Sequence, residues 1–201
     1  MERFDLLHNI HKAFRHAILT FNIASGRTDY ADLSAVAGVA EAWSQLCENL
    51  AHHATHEDEI MFPLLTARTS GEPREPFGWQ TEVEALHDDH MRIARLEGEM
   101  NQLLRSIECA ADDTMRRRLG REFHRSVQRY TAMALLHFDD EERRFMPRLW
   151  SLYDDAELVR TFERVMATIG LEEREYAMRH MAEALDPFEL EAMQTQLRAA
   201  S

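Results

Sequence analysis

Two stretches of the chain place a histidine four residues before a glutamate: His53 with Glu57, and His137 with Glu141. Both continue alike, with Pro63 and Pro147 ten residues after the histidine and Leu65 and Leu149 twelve after it. The texts HATHEDEIMFPLL and HFDDEERRFMPRL are thus two copies of one unit, 84 residues apart (137 − 53). On a helix, residues i and i+4 stand one turn apart on one face. An imidazole nitrogen and a carboxylate oxygen so placed can hold one metal ion, or the carboxylate can bridge two. A further histidine precedes each copy at a similar distance, His11 by 42 residues and His90 by 47. One such pair alone would read as a solvated i,i+4 contact in an acidic helix. The doubling, with matched prolines and leucines, is what points to a shared metal site.

The set is four imidazoles and two carboxylates, with His87, three residues before His90, as a fifth imidazole. A nitrogen-rich set with carboxylates able to bridge suits two first-row transition ions, iron first, then manganese or zinc. Magnesium and calcium want oxygen ligands and would leave the histidines idle. The pattern differs from the Glu plus Glu-x-x-His set of ferritin-like carboxylate bundles. Among the other histidines, His8 competes with His11, which is favoured. His56 reads as orienting the site by hydrogen bonding, and His52 faces away from it. His16, His124 and His180 read as surface or satisfied core. Asp58, Glu59, Asp139, Asp140 and Glu142 read as solvated, or as hydrogen-bonded to ligands rather than ligands themselves.

The elements that must position these groups are helices. Apolar residues recur at three- and four-residue spacing from Phe4 to Phe21, predicting a first helix over about Arg3–Ala24, stopped by Ser25-Gly26-Arg27. A second is predicted over about Ala31–Arg68, with Pro63 kinking it or freeing a carbonyl. Thr69–Phe77 is the clearest loop. A third helix covers about Trp79–Cys109. Asp112-Asp113 offers an N-cap to a fourth over about Thr114–Trp150. Three short helices follow: one to about Ile169, one over about Glu172–Leu185, and one opened by Asp186-Pro187. The prediction is an all-α chain: an up-down-up-down four-helix bundle over residues 1–153, two hairpins related by a pseudo-twofold, with a helical extension over 154–201 packed on the bundle or at a dimer interface.

Composition narrows the function classes. The 201 residues carry 23 Lys plus Arg against 36 Asp plus Glu, a formal net charge of −13. That balance argues against nucleic acid and against an anionic membrane surface. No stretch approaches the 18 or so apolar residues of a membrane helix. The N-terminus has no uninterrupted apolar run like that of a signal peptide. Two cysteines, Cys47 and Cys109, form no CxxC and read as buried, inert thiols of a reduced, cytoplasmic protein. No nucleophile motif or Gly-rich phosphate loop is present.

The arrangement His11 … His53-x3-Glu57 … His90 … His137-x3-Glu141 resembles the hemerythrin-like HHE cation-binding family. HEDEIMFPLL looks like its second-helix signature and HFDDEERRFMPRL its fourth. The opening RFDLLHNIHKAFR and the tail beyond Tyr153 look like a bacterial subgroup of about this length. The resemblance implies a four-helix bundle around an oxo- or hydroxo-bridged di-iron centre. His11, His53, His90 and His137 would be terminal ligands, and Glu57 and Glu141 bridging carboxylates. Oxygen-carrying members have a HxxxH pair on the third helix, where His87-x2-His90 stands here, and a His followed by Asp at +5 on the fourth, where Glu141 stands at +4. Those differences point away from reversible oxygen carriage. They point towards proteins of oxygen, nitric oxide or iron sensing and repair of iron centres. The expectation is a di-iron protein that binds a small diatomic or peroxidic ligand. A di-iron redox enzyme is the alternative, though no flavin or iron–sulfur motif is visible to feed it electrons. A helical interaction module with structural zinc is the third reading.

Overall fold

A computed structural model describes residues 3–69 and 79–199. The loop predicted at Thr69–Phe77 lies, apart from Thr69, outside the described residues. Those described form helices and no strands. They are α1 (His8–Arg27), α2 (Leu33–His56), α3 (Phe62–Thr69), α4 (Trp79–Glu108), α5 (Asp113–Asp140) and α6 (Met146–Leu152), then α7 (Asp155–Thr168), α8 (Leu171–Ala184) and α9 (Pro187–Ala199). One turn of π-helix, Glu57–Met61, joins α2 to α3, and another, Glu141–Phe145, joins α5 to α6.

The helix starts follow from capping chemistry. Asp32, Asp112 and Asp154 each accept backbone N–H groups of the first turn. Asp154 forms a reciprocal capping box with Glu157. Asp186 accepts from Phe188 and Glu189 ahead of Pro187-led α9. α1 starts later than its apolar pattern suggested, because the Asp5 carboxylate takes the N–H groups of Leu7 and His8 and fixes the first turn there. α1 also outruns the stop expected at Ser25-Gly26-Arg27, and the chain turns extended only at Thr28. Gly26 has a different use: a Cβ there would stand 2.8 Å from the His124 ring, so its lack of a side chain admits α5 rather than ending α1.

α1 packs against α2, α5 and α8, and α4 against α2 and α5. The apolar interior has two parts. One gathers Phe14, Ile18, Phe21, Trp43, Leu50, Met100, Phe123, Tyr130 and Phe138. The other gathers Leu7, Met61, Phe62, Leu65, Leu86, Phe145, Met146, Leu149 and Leu158. Along each of the four long segments the chain crosses from one cluster to the other at a histidine: His11, His53, His90 and His137. A buried polar layer therefore divides the core.

The C-terminal helices are fastened to the rest by polar contacts. Arg3 donates to Asp155 and to the carbonyls of Trp150 and Tyr153. Glu189 on α9 takes His8 at 2.8 Å and Lys12 at 2.5 Å. Glu173 on α8 faces His52 and His56. No helix among the described residues is long and apolar enough to cross a membrane.

Candidate metal centre

Each inner glutamate opens a π turn, and the proline six residues later explains the turn. A proline in an α-helix drives its ring into the carbonyl four residues back and offers no N–H. One wide turn ahead of it relieves both problems. The carbonyl of Glu57 accepts from Phe62, the residue before Pro63, and that of Glu141 from Met146, the residue before Pro147. The helix then continues, and the glutamate stays one turn below its histidine on the inner face.

The six inner groups converge. His11 Nε2 lies 3.1 Å from His53 Nε2. Glu57 Oε1 is 3.0 Å from His53 Nε2 and 3.6 Å from His11 Nε2, while its Oε2 is 3.3 Å from His90 Nε2. Glu141 Oε2 is 3.4 Å from His11 Nε2, and its Oε1 is 3.4 Å from His137 Nε2. The His90 and His137 rings are 4.5 Å apart, centroid to centroid. Each carboxylate thus turns one oxygen towards the α1–α2 imidazoles and the other towards the α4–α5 imidazoles.

These contacts are close, yet few are aligned as hydrogen bonds. Both oxygens of Glu57 and of Glu141, both ring nitrogens of His137 and Nε2 of His90 are buried without a hydrogen-bond partner. An orphaned buried polar atom costs about 1–3 kcal/mol, more if charged. Seven in one layer would be a heavy burden for a fold to carry without a cation. The four residues that carry these atoms, Glu57, His90, His137 and Glu141, form one group that fits a metal ion, and His11 and His53 form a second with Glu57.

The outer nitrogens of two histidines are held by acids that follow the inner glutamates. His11 Nδ1 is 3.1 Å from Glu142 Oε1, and His90 Nδ1 is 3.2 Å from Asp58 Oδ1. An ionised carboxylate only accepts, so each Nδ1 carries the proton and each Nε2 presents a lone pair inward. Partial burial works to raise Glu142, but hydrogen bonds from His11 and Arg15 bring its pKa down to about 2. Arg15 reaches it at 2.6 Å. Aromatic rings pack around the layer: Phe138 stacks on His11 at 4.4 Å, Phe14 lies 5.0 Å from His53, and Phe62 stacks on His90 at 5.8 Å.

Electrostatics separate the inner groups. Burial pushes His137 down to about 3 and also lowers His53. For His11 and His90 burial acts the same way, but Glu142 and Glu57 at the first, and Glu57 and Asp58 at the second, outweigh it and raise both. Burial and the nearby Glu57 push the Glu141 carboxyl well above the usual range. Glu57 goes the other way: burial opposes its charge, but His53, His11 and His90 hold it well below. Two buried carboxylates side by side repel each other. A cation between them reverses the sign of that problem and favours both in the charged form.

Of the site residues read from sequence, His11, His53, Glu57, His90, His137 and Glu141 come together. His87 does not join them. Three residues before the rim residue His90, its side chain is turned outward, 57% exposed, with Nδ1 3.3 Å from Asp58. His56 does not orient the layer; it meets Thr168 Oγ1 at 3.0 Å, on the seam with the C-terminal helices. His16 and His180 meet across the same seam, Nδ1 to Nδ1, at 3.0 Å. His124 binds Ser25 Oγ at 2.8 Å. Cys109 is exposed rather than buried, because it follows the last residue of α4, whereas Cys47 is half-buried with its thiol pushed up by burial. Asp58 and Glu142, read from sequence as solvated or as hydrogen-bonded to ligands, take the second of those parts, and Arg15 is the residue that sequence reasoning did not single out. The visible signal was the second acid after each inner glutamate, Glu57-Asp58 and Glu141-Glu142.

Among known families, the one described as the hemerythrin HHE cation binding domain matches residues 3–119. The match takes in His11, His53, Glu57 and His90 and ends before His137 and Glu141, which join the cluster by geometry. No curated protein and no solved structure gives a match.

Proposed function

The chain belongs to the hemerythrin HHE cation-binding family, and from that premise we propose a non-heme di-iron protein that binds a small ligand such as oxygen, nitric oxide or peroxide. Its work would be sensing, redox protection or iron handling. The observation that carries this reading is the pair of buried glutamates whose oxygens are without hydrogen bonds and face two separate imidazole pairs. His11 and His53 would hold one ion, His90 and His137 the other, with Glu57 and Glu141 bridging. The donor set also admits zinc or manganese. His87 and Asp58, with His90, form an outer group at the rim.

The bundle that presents these groups is read as up-down-up-down over residues 1–153. The connections from Arg27 to Leu33 and from Glu108 to Asp113 are short, and short connections favour antiparallel neighbours. Residues 154–201 form the extension, a second surface for self-association as a homodimer.

A bound pair of irons would supply redox-active, electron-poor ions able to take up a small diatomic or peroxidic molecule. The chain's own residues do the rest. Glu142 and Asp58 keep protons on the outer nitrogens of His11 and His90, so the inner nitrogens stay free to bind. Phe14, Phe62 and Phe138 exclude water from the ring faces. Glu57 and Glu141 bring two negative charges to offset the ions.

Elemental analysis of protein made in iron-replete cells tests the reading. Two metals per chain are expected, one for each group, predominantly iron, and both lost on replacing His53 and His137 together by alanine. Fewer than about one metal per chain, unchanged by those substitutions, refutes it, since a site of this donor set should bind tightly. Stoichiometric zinc without an iron chromophore would favour a structural metal. Catalytic consumption of peroxide or nitric oxide with a reductant would favour an enzyme.

A further inference from the structure

A cavity of about 450 Å³ opens where the end of α1 and the turn after it meet the first half of α5. Arg117, Arg121 and Arg125 line it, spaced at i, i+4 and i+8 and so on one face of α5. They span about 12 Å of that helix. Arg117 is engaged by Asp29, at 3.0 and 3.2 Å through two nitrogens, so that acid and that cation cancel. Arg121 and Arg125 are exposed and have no carboxylate partner among the described residues. Arg121 and Arg125 thus leave two uncompensated guanidiniums on one concavity of a chain whose net charge is −13.

The wall is shaped by close approach. At Gly26 a Cβ would meet the His124 ring at 2.8 Å, and at Gly120 one would meet the Tyr30 ring at 2.2 Å. Tyr30 is buried and donates to the Ser25 carbonyl at 3.0 Å, so the floor is fixed. His124 is held between Ser25 Oγ and the Gln128 side chain.

We propose that this cavity binds a phosphorylated small molecule, its phosphate held between Arg121 and Arg125 and its organic part in the remaining volume. A phosphate offers three terminal oxygens and close to two charges, enough to satisfy two guanidinium forks together. A single carboxylate satisfies one. The volume is within the usual range for small-molecule sites and larger than a bare phosphate needs. A nucleic-acid polymer would meet repulsion from the rest of this acidic chain. Arg125 precedes His137 by twelve residues on one continuous segment, about 18 Å along α5. The cavity is therefore separate from the metal layer, and the inference does not depend on what that layer binds.

The test uses the full metal-loaded chain, titrated by calorimetry at about 150 mM salt, where weak surface pairing is screened. The probes are adenosine monophosphate, glucose 6-phosphate, inorganic phosphate, adenosine and succinate, with backbone amide shifts recorded by NMR. Saturable binding of at least one phosphorylated probe is expected, with shifts confined to residues 25–30 and 117–128. Replacing Arg121 and Arg125 together by serine should weaken it by about tenfold or more. Both side chains are exposed, so the variant should keep its helicity and metal content. Three results would each overturn the proposal: no saturable binding of any phosphorylated probe, binding unchanged in the variant, or succinate binding as tightly as the phosphates. Shifts centred on His53 and His137 instead would also overturn it.

Discussion

Replacing Glu142 by alanine should weaken retention of a bound metal by about 10–100-fold, the usual effect of removing an acid that orients a liganding histidine. The structure supplies the reasoning. Glu142 Oε1 accepts a hydrogen bond from His11 Nδ1 at 3.1 Å, and His11 is fully buried. A hydrogen bond to a charged group contributes about 1.5–3 kcal/mol, and the expected fold-change corresponds to about 1.4–2.8 kcal/mol. The Arg15–Glu142 pair adds little by itself, because both side chains are 27% exposed and solvent screens them. Replacement by glutamine keeps a neutral acceptor at the same place, so a smaller loss, about three- to tenfold, is expected. Asp139→Ala removes an acid that pairs with the exposed Arg143 four residues along the chain, and should change affinity by less than about twofold. The assay is competition with a chromophoric chelator, with thermal melting run alongside to show that each variant folds. Affinity of Glu142→Ala within about twofold of the parent would falsify the idea that this acid sets the tautomer and aim of His11.

Two glycines make a matched pair. At Gly98 an added Cβ meets nothing within 4 Å, so Gly98→Ala in the middle of α4 should raise stability by about 0.5–1 kcal/mol. At Gly120 it would stand 2.2 Å from the Tyr30 ring, so Gly120→Ala should lower stability by about 1–3 kcal/mol despite the better helix former; denaturant midpoints decide both, and equal shifts would refute the packing argument. Acid should loosen the seam. Burial lowers His180 to about 4, with His16 adding to it, so the folded protein keeps that ring neutral while the unfolded chain takes up a proton near 6.5. Its contribution is therefore present above pH 6.5 and lost as the pH falls towards 4, and melting at pH 7 and pH 5 should show a smaller drop for His180→Asn than for the parent. Trp43, 1% exposed and donating to Asn101 at 2.8 Å, anchors the larger cluster; Trp43→Ala should cost about 3–5 kcal/mol in chemical unfolding.

The helices were legible because their apolar spacing is regular and their starts are marked by aspartates with free backbone N–H groups to cap. The convergence of six side chains was legible because the motif is doubled, and chance rarely repeats a His, a Glu, a Pro and a Leu at fixed offsets. Less could be read where the deciding contact is long-range. Gly26 looks like a helix stop until His124 is seen against it. His87 shares a helix with His90 but sits just beyond the turn that faces inward, and three residues are enough to exchange burial for solvent. The prolines announced a break, while its form, a π turn that lets the helix resume, depends on what the widened turn can bury. The division of labour within Glu57-Asp58 and Glu141-Glu142 was hidden for a similar reason: adjacent acids point about 100° apart around a helix, and only the fold says which of them faces a histidine.

The outer acids cross between the two halves of the chain. His11 on α1 depends on Glu142 beyond α5, and His90 on α4 depends on Asp58 beyond α2. The imidazole pairs, by contrast, belong each to one half. A protein cut between α3 and α4 would thus yield two pieces, each with its own pair of rings and its own inner glutamate, but neither with the acid that aims its first histidine. The halves are interlocked like a pair of keys each stored in the other's box. That interlocking gives the site an all-or-none character: the geometry that holds an ion is a property of the joined chain, and no fragment carries half of it.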